Sequence, residues 1–155
     1  DYENKERCGL LDAPRMYGLT QVHKHLPEMK KITGLNNDPV FSPIVSDYYA
    51  GMEVVVNLFA KDLTCSGNPV EAIKAVYRDY YQTGLVRFVD AEDESGFLSA
   101  GKYAGRDDME VSVYGNKERI ILVSRFDNLG KGASGAAIQN MNIVLGLDES
   151  LGLNV

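Results

Sequence analysis

Two histidines occur in the chain, His23 and His25, inside the run His-Lys-His-Leu-Pro-Glu from His23 to Glu28. In an extended segment, side chains at i and i+2 point to one face, so both imidazoles project the same way. Glu28 follows His25 by three residues, at a helix start marked by Pro27. A carboxylate there can accept the Nδ1–H of an imidazole and fix its tautomer. A base held by an orienting group is the arrangement that thiol or acyl chemistry requires. The spacing equally admits a pair of surface histidines, or an H-x-H metal pair, although no third ligand is evident nearby.

A second candidate lies between Asp127 and Gly146, in a glycine-rich loop that joins a strand to a helix. Gly130, Gly132 and Gly135 leave the backbone open to close approach. Lys131 adds a point charge, and Ser134 is expected to cap the following helix. Such a loop can present bare N–H groups and a cation to an anionic ligand. The plainer alternative is a turn whose glycines serve geometry alone. Within the helix, Asn140 shares a face with Ala136 and Ile143, which predicts a buried, hydrogen-bonded amide or a subunit contact. Arg125, Arg106 and Lys102 are isolated cations; any one can bind a carboxylate, but most such residues are solvated. Tyr77, Tyr80 and Tyr81 read as core or interface rather than as a binding box.

The rest of the sequence bounds what such residues can serve. A length of 155 residues suits one ordinary domain. With 45% hydrophobic and 25% charged residues, the chain has the composition of a soluble globular protein with a sizeable core. The net charge of −6 comes without a basic stripe, which argues against a nucleic-acid partner. Local anion sites remain compatible with that balance. Cys8 and Cys65 form no C-x-x-C pair and are expected to be reduced, in a cytoplasmic protein. No apolar run is long enough for a membrane span; Asp47 and Glu53 interrupt the best one. The opening Asp-Tyr-Glu-Asn-Lys-Glu-Arg resembles neither a signal peptide nor a natural start, and suggests a cut inside a longer protein.

The elements that must position these groups follow from punctuation and period. Residues 1–20, broken by Pro14 and Gly18, read as an arm or linker, with one domain over 21–155. Leu26 to about Ile32 is predicted as a short helix stopped by Gly34, and Val40 to Val45 and Glu53 to Ala60 as strands. Asn68 and Pro69 open a helix whose apolar positions are Val70, Ile73, Val76, Tyr77 and Tyr80, with Gly84 ending it. Val86 to Val89 is a short strand, and Asp90 to Gly96 an acidic, solvated turn rather than a metal site. Met109 to Tyr114 and Glu118 to Phe126 form a hairpin about Gly115-Asn116. The last helix runs from about Ala133 to Leu145. This order predicts an α+β fold with a mixed or antiparallel sheet and helices on one face. No G-x-G-x-x-G follows a first strand, so the chain is not a dinucleotide-binding Rossmann domain.

The His23–Glu28 run, its lead-in Tyr17-Gly18-Leu19-Thr20, and the segment Asp127 to Asn140 together resemble the C-terminal part of the N-acetyl-gamma-glutamyl-phosphate reductase family. The resemblance covers nearly the whole chain; the Asp-Asn-Leu-x-Lys-Gly-Ala segment alone is also similar to aspartate-semialdehyde dehydrogenase. It implies a fold similar to the C-terminal domain of glyceraldehyde-3-phosphate dehydrogenase-like enzymes. It implies a cysteine thiolate that attacks an acyl phosphate, and NADPH that reduces the thioester to a semialdehyde in arginine biosynthesis. By the same resemblance His25 is the acid/base partner of that cysteine, Glu28 orients it and His23 lies close to substrate. Asn128, Gly132 and Gly135 are implied near the nicotinamide end of NADP, with Lys131 near the phosphate. The sequence departs from the family in three ways. Neither Arg-Cys8-Gly nor Thr-Cys65-Ser matches the Gly-Cys-Tyr type nucleophile motif, the Rossmann domain is missing, and Gly105-Arg106-Asp107 stands where the family often has Gly-Ser-Asn. The expectation is a substrate-binding and dimerisation domain, a homodimer or homotetramer in its whole protein, inactive alone. The alternatives are the same domain of an enzyme acting on aspartyl or aminoadipyl phosphate, or a non-catalytic assembly domain.

Overall fold

The computed structural model describes residues 2–90 and 93–155. The chain forms two compact units, 1–49 and 50–155. In the first, a short helical turn, Gly9–Asp12, precedes a two-stranded antiparallel ribbon of β1 (Arg15–Met16) and β2 (Ile44–Val45). The segment expected as an arm therefore contributes β1, paired Arg15 to Val45 and Met16 to Ile44. Helix α1 (His25–Thr33) begins two residues before Pro27 and ends at Gly34, whose φ of 72° supplies the left-handed C-terminal residue. The strand expected over Val40 to Val45 shrinks to its last two residues.

The second unit is a mixed four-stranded sheet in the order β3 (Met52–Phe59), β6 (Arg119–Phe126), β5 (Met109–Gly115), β4 (Val86–Phe88). β4 runs parallel to β5; the other pairs are antiparallel. The β5–β6 hairpin turns where the sequence predicts. Gly115 has φ 134°, and the Asn116 side chain accepts the N–H groups of Glu118 and Arg119. Helix α2 (Pro69–Tyr80) starts with Asn68 Oδ1 accepting Val70 N–H at 3.1 Å, a cap ordinarily worth about 1 kcal/mol. Its Val70, Ile73 and Tyr77 pack on Val113, Ile120, Leu58, Leu122 and Phe88, and this is the core. Val76 and Tyr80, assigned to the same face from their spacing, are exposed. The helix stops at Tyr80, before Gly84. Tyr77 stacks edge-on against Tyr81 and Phe88.

On the other face of the sheet, strand alternation places Glu53, Arg125 and Glu110 in one cross-strand row. Arg125 is not the solvated cation expected of an isolated arginine. It is fully buried, its Nε donates to Glu110 Oε1 at 2.5 Å, and its Nη1 donates to both oxygens of Glu94. Lys102 Nζ lies 3.6 Å from Glu110 Oε2. The acidic turn is likewise not simply solvated. Glu94 carries this pair, and Asp90 binds Lys74 and Arg78; Ala91 and Glu92 lie outside the described residues. The physical reason is the period of two: Arg125 lies on β6 and must point to one face or the other, and the chain folds its counter-ions over that face.

Glu53 sits at the end of the row, and burial, with the charges of Glu94 and Glu110, pushes its carboxyl up despite Arg125. A carboxyl raised above its unfolded value near about 4.3 costs nothing when both states are protonated. The cost is complete once pH exceeds the folded value. Glu53→Gln is therefore expected to raise the melting temperature at neutral pH, with a gain in the usual range for one stabilising change, about 0.5–2 kcal/mol. Below about pH 4 the gain should disappear. Thermal melts of both proteins across pH 3–8, roughly the span of that titration, check this; an equal or lower Tm for the variant at neutral pH would refute it.

Candidate functional site

In the first unit, the start of α1 carries the histidine pair. His25 is the first residue of the helix, and Glu28 lies one turn on. His25 Nδ1 and Glu28 Oε2 are 2.8 Å apart. This is the geometry expected from the three-residue spacing: the carboxylate takes the Nδ1 side and leaves Nε2 directed away from it. Both side chains are largely exposed, so a reactant can reach the ring. His23 stands beside it with ring centroids 4.9 Å apart. The imidazole of His23 is also flanked by Phe41 at 5.0 Å and Tyr17 at 6.1 Å, and its Nδ1 accepts the His25 N–H at 3.3 Å. His23 is thus the more enclosed of the two. Leu26, the next residue of the helix, is buried.

In the second unit, the loop after β6 is wound rather than open. Gly130–Ser134 forms a single π-helical turn that runs into α3 (Gly135–Leu145). Ser134 does not cap α3 as expected: it has helical dihedrals, and its hydroxyl donates to Leu129 O at 2.8 Å. The π turn has already supplied the donor and acceptor that a cap would satisfy. Asp127, nearly fully buried, takes over the organising role. Its Oδ1 accepts from Leu129 and Gly130 N–H and its Oδ2 from Gly105 N–H. Burial alone would raise this carboxyl. The backbone donors of Gly105, Gly130 and Leu129 outweigh that and hold it below its ordinary value.

Asn128 is half-buried, and its Oδ1 accepts Gly51 N–H at 2.9 Å. Gly132 is exposed, close against Phe126 and Asp127 O on its inner side. Gly135 is buried, and the space a side chain would take is filled by the Asp107 carboxylate. Lys131 bonds Gln139 Oε1, and Gln139 in turn donates to Glu149. Burial pulls the Lys131 ammonium down, against the charges of Glu149 and Asp107.

Asn140, expected to be buried, is exposed; Asn142 is buried instead and donates to Glu149 O and Leu151 O. The face of α3 that turns inward is that of Gly135 and Asn142, seven residues apart, which the Ala136–Asn140–Ile143 assignment misses by about half a turn. Arg106, like Arg87, pairs with the buried carboxylate of Asp108. Residue-type reasoning missed Asp107, Asp127, Asn142 and Asn154. The only available signal was the unusual Gly-Arg-Asp-Asp run before β5. Cys8 and Cys65 are both free and exposed. Among the described residues no helix is long and apolar enough to cross a membrane.

The chain is similar to known proteins over most of its length. A reductase from Rhizobium meliloti (strain 1021), N-acetyl-gamma-glutamyl-phosphate reductase, is 43% identical over 151 residues, covering 94% of this chain and 47% of the relative. N-acetyl-gamma-glutamyl-phosphate reductase 2 of Nostoc sp. is 41% identical over 160 residues, covering 98% of this chain and 50% of the relative. The chain thus spans about half the length of the curated relatives it matches. The model of the semialdehyde dehydrogenase dimerisation domain matches residues 2–128, which takes in the histidine pair, the whole sheet and the start of the glycine loop. On that match, the chain belongs to the semialdehyde dehydrogenase dimerisation-domain family.

Proposed function

We propose that residues 21–155, with 1–20 as an arm, are the substrate-binding and dimerisation domain of an NADPH-dependent N-acetyl-gamma-glutamyl-phosphate reductase of arginine biosynthesis, a cytoplasmic enzyme. The observation that carries the reading is the 2.8 Å His25–Glu28 contact at an exposed helix start, in a chain whose relatives carry that name over their matching halves.

His25 acts as the acid/base. With Glu28 on Nδ1, Nε2 is the nitrogen left to take a proton from a thiol supplied by the other half of the protein and later to return one. His23, stacked beside His25, lines the substrate side. NADPH, when bound, supplies the hydride. The nicotinamide fits the loop in one respect: Gly132 leaves an exposed stretch of backbone without a side chain. Asn128 and Gly132 line that end, Gly135 serves by letting the loop close down on Asp107, and Lys131, oriented by Gln139, faces the phosphate side. The domain alone lacks the thiol in its expected motif and does not turn over.

Coupled assays of the whole protein with N-acetyl-gamma-glutamyl, aspartyl and aminoadipyl phosphates test the substrate. A clear preference for aspartyl phosphate would sink the reading. The domain is also expected to dimerise through its sheet. Support comes from β3, an edge strand with Val54, Val55, Val56 and Phe59 between 43% and 57% exposed, an arrangement that ordinary monomers avoid. Light scattering over a broad concentration range checks this; monomer throughout would count against it.

A further inference from the structure

The glycine-rich loop is filled by an anion of the protein's own. A Cβ on Gly130 would stand 2.8 Å from Asp107 Oδ1 and 2.5 Å from Arg106 O, and one on Gly135 would overlap Asp107 Oδ1 outright. Only glycine at both positions lets this carboxylate sit at the start of α3, where a helix favours negative charge. Asp107 does not sit there unaided. Its Oδ2 accepts Asn154 N–H at 2.9 Å, its own N–H donates to Asn154 O at 2.7 Å, and Asn154 Nδ2 donates to Gly105 O at 2.6 Å.

Asn154 belongs to a strap that returns from the end of α3. Its path is fixed midway by buried Asn142, which donates to Glu149 O and Leu151 O. Gly105 N–H, next to Asp107, closes the circuit on Asp127 at 2.5 Å. The segment Gly105–Asp107 thus bonds Asp127 at one end of the loop and packs its carboxylate against Gly135 at the other. That segment is in turn gripped by Asn154.

We propose that Asp107, held by Asn154, is a positioning residue that fixes the glycine-rich loop for its ligand and closes the start of α3 to any outside phosphate. The backbone of the loop then faces a neutral group, such as a carboxamide, and phosphate is left to the Lys131 side chain and to other parts of the protein. This rests on the reading that the loop serves a nicotinamide cofactor. It assigns the chemistry of recognition to a residue that does not touch the ligand.

The test uses the whole protein with Asp107→Ala, Asp107→Asn and Asn154→Pro, since Asn154 holds Asp107 through its backbone and proline removes the N–H that Asp107 Oδ2 accepts. Asn154 is exposed and lies outside the core, so that variant remains informative if Asp107→Ala folds poorly. Amide hydrogen exchange of residues 128–135 is expected to speed up at least about tenfold in Asp107→Ala and Asn154→Pro. It should stay near the wild-type rate in Asp107→Asn, which keeps an acceptor for the Asn154 N–H. The KM for NADPH should rise about tenfold in Asp107→Ala and Asn154→Pro, while release of phosphate from acyl phosphate in the absence of NADPH keeps its rate. Unchanged exchange across 128–135 in these two variants would overturn the proposal whatever the activity. An equal loss in phosphate release and in NADPH KM would overturn it too, since that marks general damage rather than positioning. A wild-type protein that reduces no acyl phosphate, but whose loop loosens as described, would refute the functional reading and leave the clasp standing.

Discussion

Replacing His25 by alanine in the whole protein is expected to lower kcat for acyl-phosphate reduction by more than the about 10²–10⁴-fold that a general base usually contributes. The excess follows from geometry. Glu28 holds Nδ1 at 2.8 Å, so the ring has one defined orientation and one available nitrogen. A thiol that relies on that nitrogen loses both a proton acceptor and the cation that stabilises its thiolate. Glu28→Gln should cost less, because an amide oxygen can still accept Nδ1–H while offering no charge. His23→Ala should act mainly on KM, since the His23 ring packs beside Phe41 and Tyr17. Steady-state kinetics of the three variants, with the rate of thiol alkylation as a measure of thiolate, separate these roles. Full activity in His25→Ala would favour a domain that serves assembly alone.

The largest effect on stability is expected in the second unit, on the sheet face away from α2. Glu110→Ala should destabilise the protein by about 3–5 kcal/mol, because it leaves the Nε side of a guanidinium with no exposure to water unpaired, with Glu94 as its remaining counter-ion. Arg125→Ala should cost a comparable amount, since it leaves Glu110, also almost fully buried, facing Glu53 and Glu94. The two losses should not add. Once one charge is gone the other is a liability, so the double variant Glu110→Ala/Arg125→Ala is expected to be no worse than the poorer single one. Chemical denaturation of all four proteins gives the coupling directly. Additive losses would mean that the pair is only incidental to the fold. Sequence inspection assigned Arg125 to solvent because a strand residue's partner comes from distant segments. Glu110 comes from β5 and Glu94 from a turn thirty-one residues away.

The pair of predictions marks where the sequence is self-sufficient. Asn68-Pro69, the hairpin at Gly115-Asn116 and the His25–Glu28 contact are local, decided by residues within a turn of one another. Propensity, φ preference and spacing therefore read them directly. The mixed sheet and the packing of α2 through Val70, Ile73 and Tyr77 followed from period, because burial on one face repeats along each element. The strand order, with β6 central between β3 and β5, was not legible, since pairing at that distance leaves no local trace.

The loop shows the division most sharply. Its glycines announced that backbone must come close to something, and the sequence alone determined that much. What comes close is the carboxylate of Asp107, brought to the loop because the start of β5 pairs with the end of β6, and locked by Asn154. Asn142 rather than Asn140 faces inward because its amide donates to Glu149 O and Leu151 O, on the segment that folds back after α3. Short-range chemistry wrote the elements and the histidine pair. Contacts between segments distant in the chain decided which charges are buried and which glycines are filled, and the segment just after α3 decided which face of that helix points in. Such contacts depend on the energy of the assembled fold and not on any one stretch of chain.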